Sequence, residues 1–216
     1  MPGRSARKTA PSPPSLLAKL ERMHPGARTE IDFSGPLELL VATILSAQST
    51  DRQVNLVTKE LFKKYRTAAD YAAAKTEELE RDIHSTGFFR AKSRLIQGAA
   101  RMLQDDFGGE VPRTMEELTR LPGVARKTAN IVLTGAFGIV EGMAVDTHVG
   151  RVSRRLGLSK CEDPAKIEQD LLRFFPKESW ARATSLLVFH GRYLCKAKKP
   201  ECGRCLLKRE CPSSCV

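Results

Sequence analysis

The sequence feature that most constrains the fold is Pro122-Gly123, which separates two stretches of helical periodicity. Thr114, followed three residues later by Glu117, has the pattern of a capping box and predicts the start of the first helix. Apolar residues at helical spacing predict a second helix from about Val124. Gly123 can adopt a positive φ without strain, which allows a tight turn and a close approach of the main chain to a ligand. The segment therefore predicts a helix-hairpin-helix.

The turn between these helices is a candidate anion site. The first amides of a helix lack partners within the helix, and the positive end of its dipole favours a bound anion. Such a site holds one backbone phosphate without reading base sequence. The residues that we expect to form it are Leu121, Gly123, Ala125 and Arg126.

Lys127 follows in the first turn of the second predicted helix, where the dipole disfavours a cation. Lysine acts as a nucleophile only as the neutral amine, so this position suits a nucleophile, although a phosphate-contacting lysine beside Arg126 fits as well. Asp146, 19 residues after Lys127, directly precedes another helical pattern, so it is a candidate both for a plain N-cap and for a catalytic carboxylate. A carboxylate nearby would favour the charged amine and oppose the dipole, so the sequence leaves the protonation state of Lys127 open.

The composition points to a polyanionic partner. The chain of 216 residues has 36 Lys and Arg against 25 Asp and Glu, a net charge of +11, which favours nucleic acid. Most of the excess lies in residues 1–14 and 191–216. The sequence shows neither an apolar run of membrane-spanning length nor a signal peptide, so we expect a soluble intracellular protein, in the cytoplasm or nucleoid if it is bacterial.

Six cysteines all follow residue 160, and four of them are spaced Cys195-x6-Cys202-x2-Cys205-x5-Cys211. Clustered cysteines in a chain without a signal peptide favour metal ligation over disulfides. The spacing alone fits a structural zinc or a 4Fe-4S cluster about equally. Two further cysteines, Cys161 and Cys215, are expected to be free thiols, with Cys215 an alternative to Cys211. Ligation would hold the lysines between the first two ligands, Lys198 among them, at the surface, where they suit phosphates.

The remaining periodicity is helical, so the predicted fold class is all-α. Residues 1–14 are rich in Pro, Ser and Arg, which predicts a disordered basic arm. Helices are expected from Ser15 to about Met23, from Pro36, from Asp51 to Tyr65, and over about 76–84, 90–105, 164–174 and 178–192. The helix from Pro36 is apolar nearly all round, which predicts that it is the central buried helix.

Taken together, these motifs resemble the endonuclease III family of the helix-hairpin-helix superfamily. The resemblance covers roughly residues 15–212. It is carried by the hairpin with Lys127, the segments SAQSTD at 46–51, VDTH at 145–148 and HGRY at 190–193, and the four cysteines. It implies two helical domains with a DNA-binding cleft between them. One is a six-helix barrel with the hairpin (29–139); the other is an iron-sulfur domain (15–28 and 140–216), in which a 4Fe-4S cluster has Cys195, Cys202, Cys205 and Cys211 as its ligands.

The resemblance also implies the chemistry. A DNA glycosylase and AP lyase of this kind, expected to be a monomer, would act on double-stranded DNA with oxidised pyrimidines or abasic sites. The damaged base is flipped out of the duplex. Lys127 then attacks C1′, an imine forms, and β-elimination cuts the strand. Asp146 would help to deprotonate the lysine or stabilise the positive sugar.

Three further DNA contacts come from the resemblance. Gln48 matches the residue that fills the space left by the flipped base, and a polar residue at a helix end is its alternative reading. Phe88 matches an apolar wedge that is usually leucine in the family, so the phenylalanine is a departure, and core packing is the alternative. His148 would face the cleft or lie on a helix surface.

Two other functions compete with this interpretation. An adenine mismatch glycosylase shares the cluster and the aspartate, but that branch usually has a small hydroxyl residue in place of Lys127 and a further C-terminal domain. A non-catalytic DNA-binding protein would use the hairpin and the cluster only to hold the duplex.

Overall fold

The computed structural model describes residues 11–216, and within them every regular element is a helix. The predicted basic arm at 1–14 lies outside the described residues as far as residue 10. The α-helices are α1 (Pro13–Met23), α2 (Pro36–Leu45), α3 (Asp51–Lys64), α4 (Ala68–Ala73), α5 (Thr76–Ile83), α6 (Phe89–Phe107), α7 (Met115–Arg120), α8 (Arg126–Phe137), α9 (Thr147–Arg155), α10 (Pro164–Phe174) and α11 (Trp180–Phe189). Across residues 11–216, no helix is both long enough and apolar enough to span a bilayer.

The chain divides into two compact units. One is Thr29–Glu141, which holds α2 to α8; the other combines the chain up to Arg28 with Gly142–Val216. Each unit has its own cluster of buried apolar side chains.

Helix α2 is the centre of the Thr29–Glu141 unit. All seven residues from 39 to 45 are buried, which confirms the prediction of a central helix. Pro36 opens the helix in its first turn, where a missing N–H has no cost. Helix α2 packs against α8 and α6, and α4 packs along α6. Two tyrosines, Tyr65 and Tyr71, are buried in this core and stack with ring centroids 5.0 Å apart.

The second unit is built on α1, α9, α10 and α11. Leu16 and Leu20 on one face of α1 are fully buried against this core. Arg182 of α11 fixes the chain after α1, since its guanidinium pairs with Glu21 and donates to the carbonyl of Ala27. One basic side chain thus holds both a helix and the segment that follows it.

Three of the differences from the predicted helices have a clear physical cause. Helix α1 begins at Pro13, two residues early, because the fixed φ of proline suits a first helical turn. Helix α4 was not predicted, since six residues are too short to show a period; the reciprocal capping box of Thr67 and Asp70 starts it. The helix predicted over 178–192 is divided, with α11 ending at Phe189 and a π-helical turn, His190–Leu194, following it.

The core of the Thr29–Glu141 unit gives a direct stability test. Leu40→Ala removes a side chain that is 1% exposed, and we expect a loss of about 2 to 5 kcal/mol in the free energy of unfolding, because a cavity adds to the lost burial. Leu56→Ala is the matched control, as Leu56 is 60% exposed, and should change stability by less than about 0.5 kcal/mol. Denaturant unfolding followed by helical circular dichroism measures both. Equal losses in the two variants would contradict the assignment of the core.

Candidate functional site

The helix-hairpin-helix predicted around Gly123 is present. Thr114 caps α7 by accepting a hydrogen bond from the Glu117 amide at 3.2 Å. Between the helices, the Val124 amide donates to the Leu121 carbonyl at 3.0 Å. Helix α8 then begins at Arg126, and its N-cap, Ala125, makes no side-chain capping bond. Alanine offers no capping oxygen, so the N-cap side chain does not bind the amides at the start of α8.

Helix α6 packs against this turn. Gly123 has φ +81°, and a Cβ there would lie 3.2 Å from Leu95 of α6. Gly98, one turn further along α6, approaches Pro122 so closely that a Cβ would lie 3.2 Å from the proline ring. The turn therefore requires glycine for its backbone angle and for its packing.

The two candidate catalytic residues lie at helix starts in different units. Lys127 is exposed in the first turn of α8, in the Thr29–Glu141 unit. Asp146, half-buried, is the N-cap of α9, and its Oδ1 accepts from the Val149 amide at 2.8 Å. His148, in the first turn of α9, has its Nδ1 3.2 Å from Nη2 of Arg151. The predicted capping role of Asp146 is thus present, and its carboxylate is held in a defined orientation.

Gln48 and Phe88 share an unusual backbone conformation. They have φ of +53° and +49°, and Lys199 is the only other non-glycine residue with positive φ among residues 11–216. Gln48 is exposed, and Phe88 is 64% exposed, so core packing does not explain Phe88. Strained residues of this kind occur often at ligand-binding turns. Both residues lie in the Thr29–Glu141 unit.

The four spaced cysteines line one cavity in the other unit. Its volume is about 30 Å³, and its lining includes Cys195, Cys202, Cys205 and Cys211. Lys198 lies exposed in the segment between the first two of these cysteines. The structure thus brings together the cysteine set predicted from the spacing.

Two arginines of α9 hold the first cysteine in place, and sequence reasoning missed both. Arg151 donates to the carbonyls of Cys195 and Gly191, at 3.1 and 2.7 Å. Arg155 donates to the carbonyls of Lys196 and Ala197, and its Nη1 lies 3.4 Å from the Cys195 sulfur. Their spacing of four residues on one helix face was the available signal.

A buried histidine stands beside a second cysteine. His190, 2% exposed, has its Nε2 3.8 Å from the Cys205 sulfur and its Nδ1 3.1 Å from Nε2 of His24. Burial, with a smaller effect of His24, lowers the pKa of His190 to about 4, so the ring is neutral and carries one N–H. Gly191 lets the π-helical turn reach α9, since a Cβ there would lie 2.9 Å from Cβ of His148.

The two candidate metals require different arrangements of the four sulfurs. A tetrahedral zinc bound through Zn–S bonds would draw four sulfurs to within about 4 Å of each other. Within residues 11–216, no three His, Cys, Asp or Glu side chains are grouped closely enough to hold a single metal ion. A 4Fe-4S cluster binds each thiolate to a different iron, so its ligands surround a larger body.

Of the two other cysteines, Cys161 is not part of this cavity lining, whereas Cys215 is in hydrogen-bond contact with Cys202 beside it. Cys161 is half-buried, and Cys215 is exposed. Their expected role as free thiols stays a prediction.

Comparison with known proteins places the helix-hairpin-helix in a class. Residues 41–177, more than half of the chain, match the family described as HhH-GPD superfamily base excision DNA repair protein. The chain is therefore a base-excision-repair protein of the helix-hairpin-helix class.

Individual relatives narrow the class to a family. Endonuclease III of Synechocystis sp. is 52% identical over 199 residues, covering 92% of this chain and 91% of the relative. A solved non-covalent Endonuclease III–DNA complex is 48% identical, with a TM-score of 0.89, covering 93% of this chain and 94% of that one. A trapped Endonuclease III–DNA covalent intermediate gives the same values. The chain belongs to the endonuclease III family and is a DNA glycosylase of base excision repair.

The hairpin turn makes a prediction about stability. Gly123→Ala should lower the free energy of unfolding by about 1 to 3 kcal/mol, because alanine resists the positive φ and its Cβ presses on Leu95. Gly26→Ala is the control, since Gly26 has no positive φ and no atom within 4 Å of the added Cβ. Denaturant unfolding of both proteins measures the difference. A Gly123→Ala protein as stable as the control would show that the turn is not constrained in this way.

Proposed function

We propose that this enzyme removes oxidised pyrimidines from duplex DNA and then cuts the strand at the resulting abasic site, with Lys127 as the nucleophile. The observation that carries the proposal is an exposed primary amine in the first turn of the hairpin's second helix. A relative at 48% identity, trapped as a covalent intermediate with DNA, supports a covalent route. Membership of the endonuclease III family argues against a protein that only binds DNA. Lys127 argues against an adenine mismatch glycosylase, which usually has a small hydroxyl residue at this position.

The duplex would be held at its backbone and opened at the lesion. The uncapped start of α8, with Leu121, Gly123, Ala125 and Arg126 around it, is proposed to bind one phosphate. The flipped base leaves a gap that Gln48 would fill, while the exposed ring of Phe88 would enter the stack beside it. In the second unit, His148 and Lys198 are proposed as further DNA contacts.

The proposed reaction begins when the Lys127 amine attacks C1′ of the damaged nucleotide. The neutral Lys127 amine forms a bond to C1′ as the bond from C1′ to the base breaks, and the base leaves with the bonding electrons and gains a proton. Ring opening gives an imine between Nζ and C1′. Loss of a proton from C2′ then expels the 3′ phosphate, and water finally releases the lysine. The imine acts as the electron sink, so the lysine is the group without which the strand cannot be cut.

Asp146 is proposed as the assisting carboxylate. It would accept the proton that Lys127 loses, or stabilise the positive charge that develops on the sugar. The hydrogen bond from the Val149 amide fixes one carboxylate oxygen at the start of α9. A carboxylate held by an N-cap loses little entropy when it acts, because its rotamer is already set.

Cys195, Cys202, Cys205 and Cys211 are proposed to hold a 4Fe-4S cluster. When bound, the cluster would supply four iron–thiolate bonds that close the segment between Cys195 and Cys211. The chain's own contribution is the support of that segment by Arg151 and Arg155, which hold the backbone on both sides of Cys195. The exposed Lys198 would then be presented on a loop of defined shape.

Borohydride trapping tests the nucleophile. Wild-type protein, mixed with duplex DNA that has one abasic site, should form a covalent adduct on reduction, because borohydride reduces an imine to a stable amine. Lys127→Arg keeps the charge but forms no such adduct, so its trapping should fall below detection while its DNA affinity stays within about threefold. Lys59→Ala, a change at an exposed lysine of α3, should trap like wild type. Undiminished trapping by Lys127→Arg would contradict the proposed lyase, and no trapping by wild type would favour a binding-only protein.

Serine substitutions test the ligand set. Cys211→Ser should lose bound iron and acid-labile sulfide together with the visible absorbance of the cluster, because the hydroxyl is a poor substitute for a thiolate. Cys215→Ser and Cys161→Ser are the matched controls and should keep about four irons per chain. If Cys211→Ser kept its iron and Cys215→Ser lost it, Cys215 would be the fourth ligand and Cys211 the free thiol. Zinc without iron in wild-type protein would contradict the cluster.

A further inference from the structure

Lys92, on α6, is a buried cation that the proposed chemistry does not use. Its side chain is 3% exposed, and its ammonium donates to the Leu45 carbonyl at 2.7 Å and to the Thr86 carbonyl at 2.8 Å. Burial lowers the pKa of this lysine. Lysine is rarely fully buried, and a buried amine needs hydrogen-bond partners to offset its lost hydration.

The two carbonyls end the elements that lead into the two strained turns. Leu45 is the last residue of α2, three residues before Gln48. Thr86 is the last residue of the short helix His84–Thr86, two residues before Phe88. A cation is favoured at a helix C-terminus, where carbonyls lack partners within the helix. One ammonium therefore joins the bases of both turns.

A second hydrogen bond supports the same junction. Nε2 of Gln53, in the first turn of α3, donates to the hydroxyl of Ser85 at 2.8 Å. The segment after Gln48 is thus also linked to the segment before Phe88. Residues in left-handed backbone conformations persist only when their surroundings determine them, and these contacts provide that determination.

We propose that Lys92 is a positioning residue that fixes the separation of the Gln48 and Phe88 turns, so that both side chains enter the duplex together at a lesion. This rests on the insertion roles given to those residues under the proposed function. If the two turns were independent, each would lose conformational entropy when its side chain entered the duplex. Turns that one ammonium already holds are ordered before DNA binds. A displacement of about 1 Å in such a group can lower a rate about a hundredfold.

The test uses Lys92→Met, which keeps the length and packing of the side chain but has no donor. The control is Lys59→Met on α3, where the lysine is exposed. The probe is a duplex with a tetrahydrofuran abasic analogue beside 2-aminopurine, whose fluorescence rises when stacking is lost. Wild type and Lys59→Met should raise the fluorescence equally at saturation. Lys92→Met should bind within about fivefold of wild type but give less than half of that rise.

A kinetic comparison separates positioning from a merely structural role. Single-stranded DNA with an abasic site has no gap to fill, so Lys92→Met should be trapped by borohydride there at a rate within about twofold of wild type. On the duplex its trapping rate should fall at least about tenfold. Equal losses on both DNAs, or a full fluorescence rise, would overturn the proposal. If Lys92→Met does not fold, Lys92→Gln replaces it, because the shorter amide reaches only one carbonyl and the same pattern is expected.

Gln48→Ala and Phe88→Ala distinguish this proposal from the one on which it rests. If both reduce the fluorescence rise while Lys92→Met does not, the positioning role fails alone. If neither reduces it, the insertion roles fail, and with them the basis for Lys92. If all three reduce it, both are supported.

Discussion

The packing of α6 is the constraint on which the Thr29–Glu141 unit depends. This 19-residue helix meets the hairpin at Leu95 and Gly98, and through Lys92 it binds the ends of the two elements that precede Gln48 and Phe88. Three turns proposed to touch DNA are therefore fixed by one rigid element. A turn that protrudes into solvent cannot bury enough surface to fix its own conformation, so a packed helix beneath it must do so.

In the second unit, α9 supports the proposed functional residues, as α6 does in the Thr29–Glu141 unit. Its N-cap is Asp146, and its last two turns carry Arg151 and Arg155, which hold the backbone around Cys195. The proposed carboxylate and the proposed cluster ligand thus lie at opposite ends of one nine-residue helix.

Sequence reasoning found what local chemistry determines. The Pro-Gly break, the Thr114 cap and the Asp146 cap depend on neighbouring residues, and all three are present. The missed features depend on contacts distant in sequence. Lys92 lies 47 residues from the carbonyl of Leu45, and no periodicity reveals that bond. The positive φ of Gln48 and Phe88 was equally hidden, because only tertiary contacts hold such residues in the left-handed region. Helix α4 was too short to show a period.

In the proposed reaction, the atom that becomes bonded to the sugar is Nζ of Lys127. This assignment is tested most directly by reducing the complex of wild-type protein with a short abasic duplex, digesting both components, and locating the sugar remnant by mass spectrometry. We expect the remnant on Nζ of Lys127, in the peptide that contains the start of α8. A remnant on another lysine, or on the N-terminal amine, would contradict it.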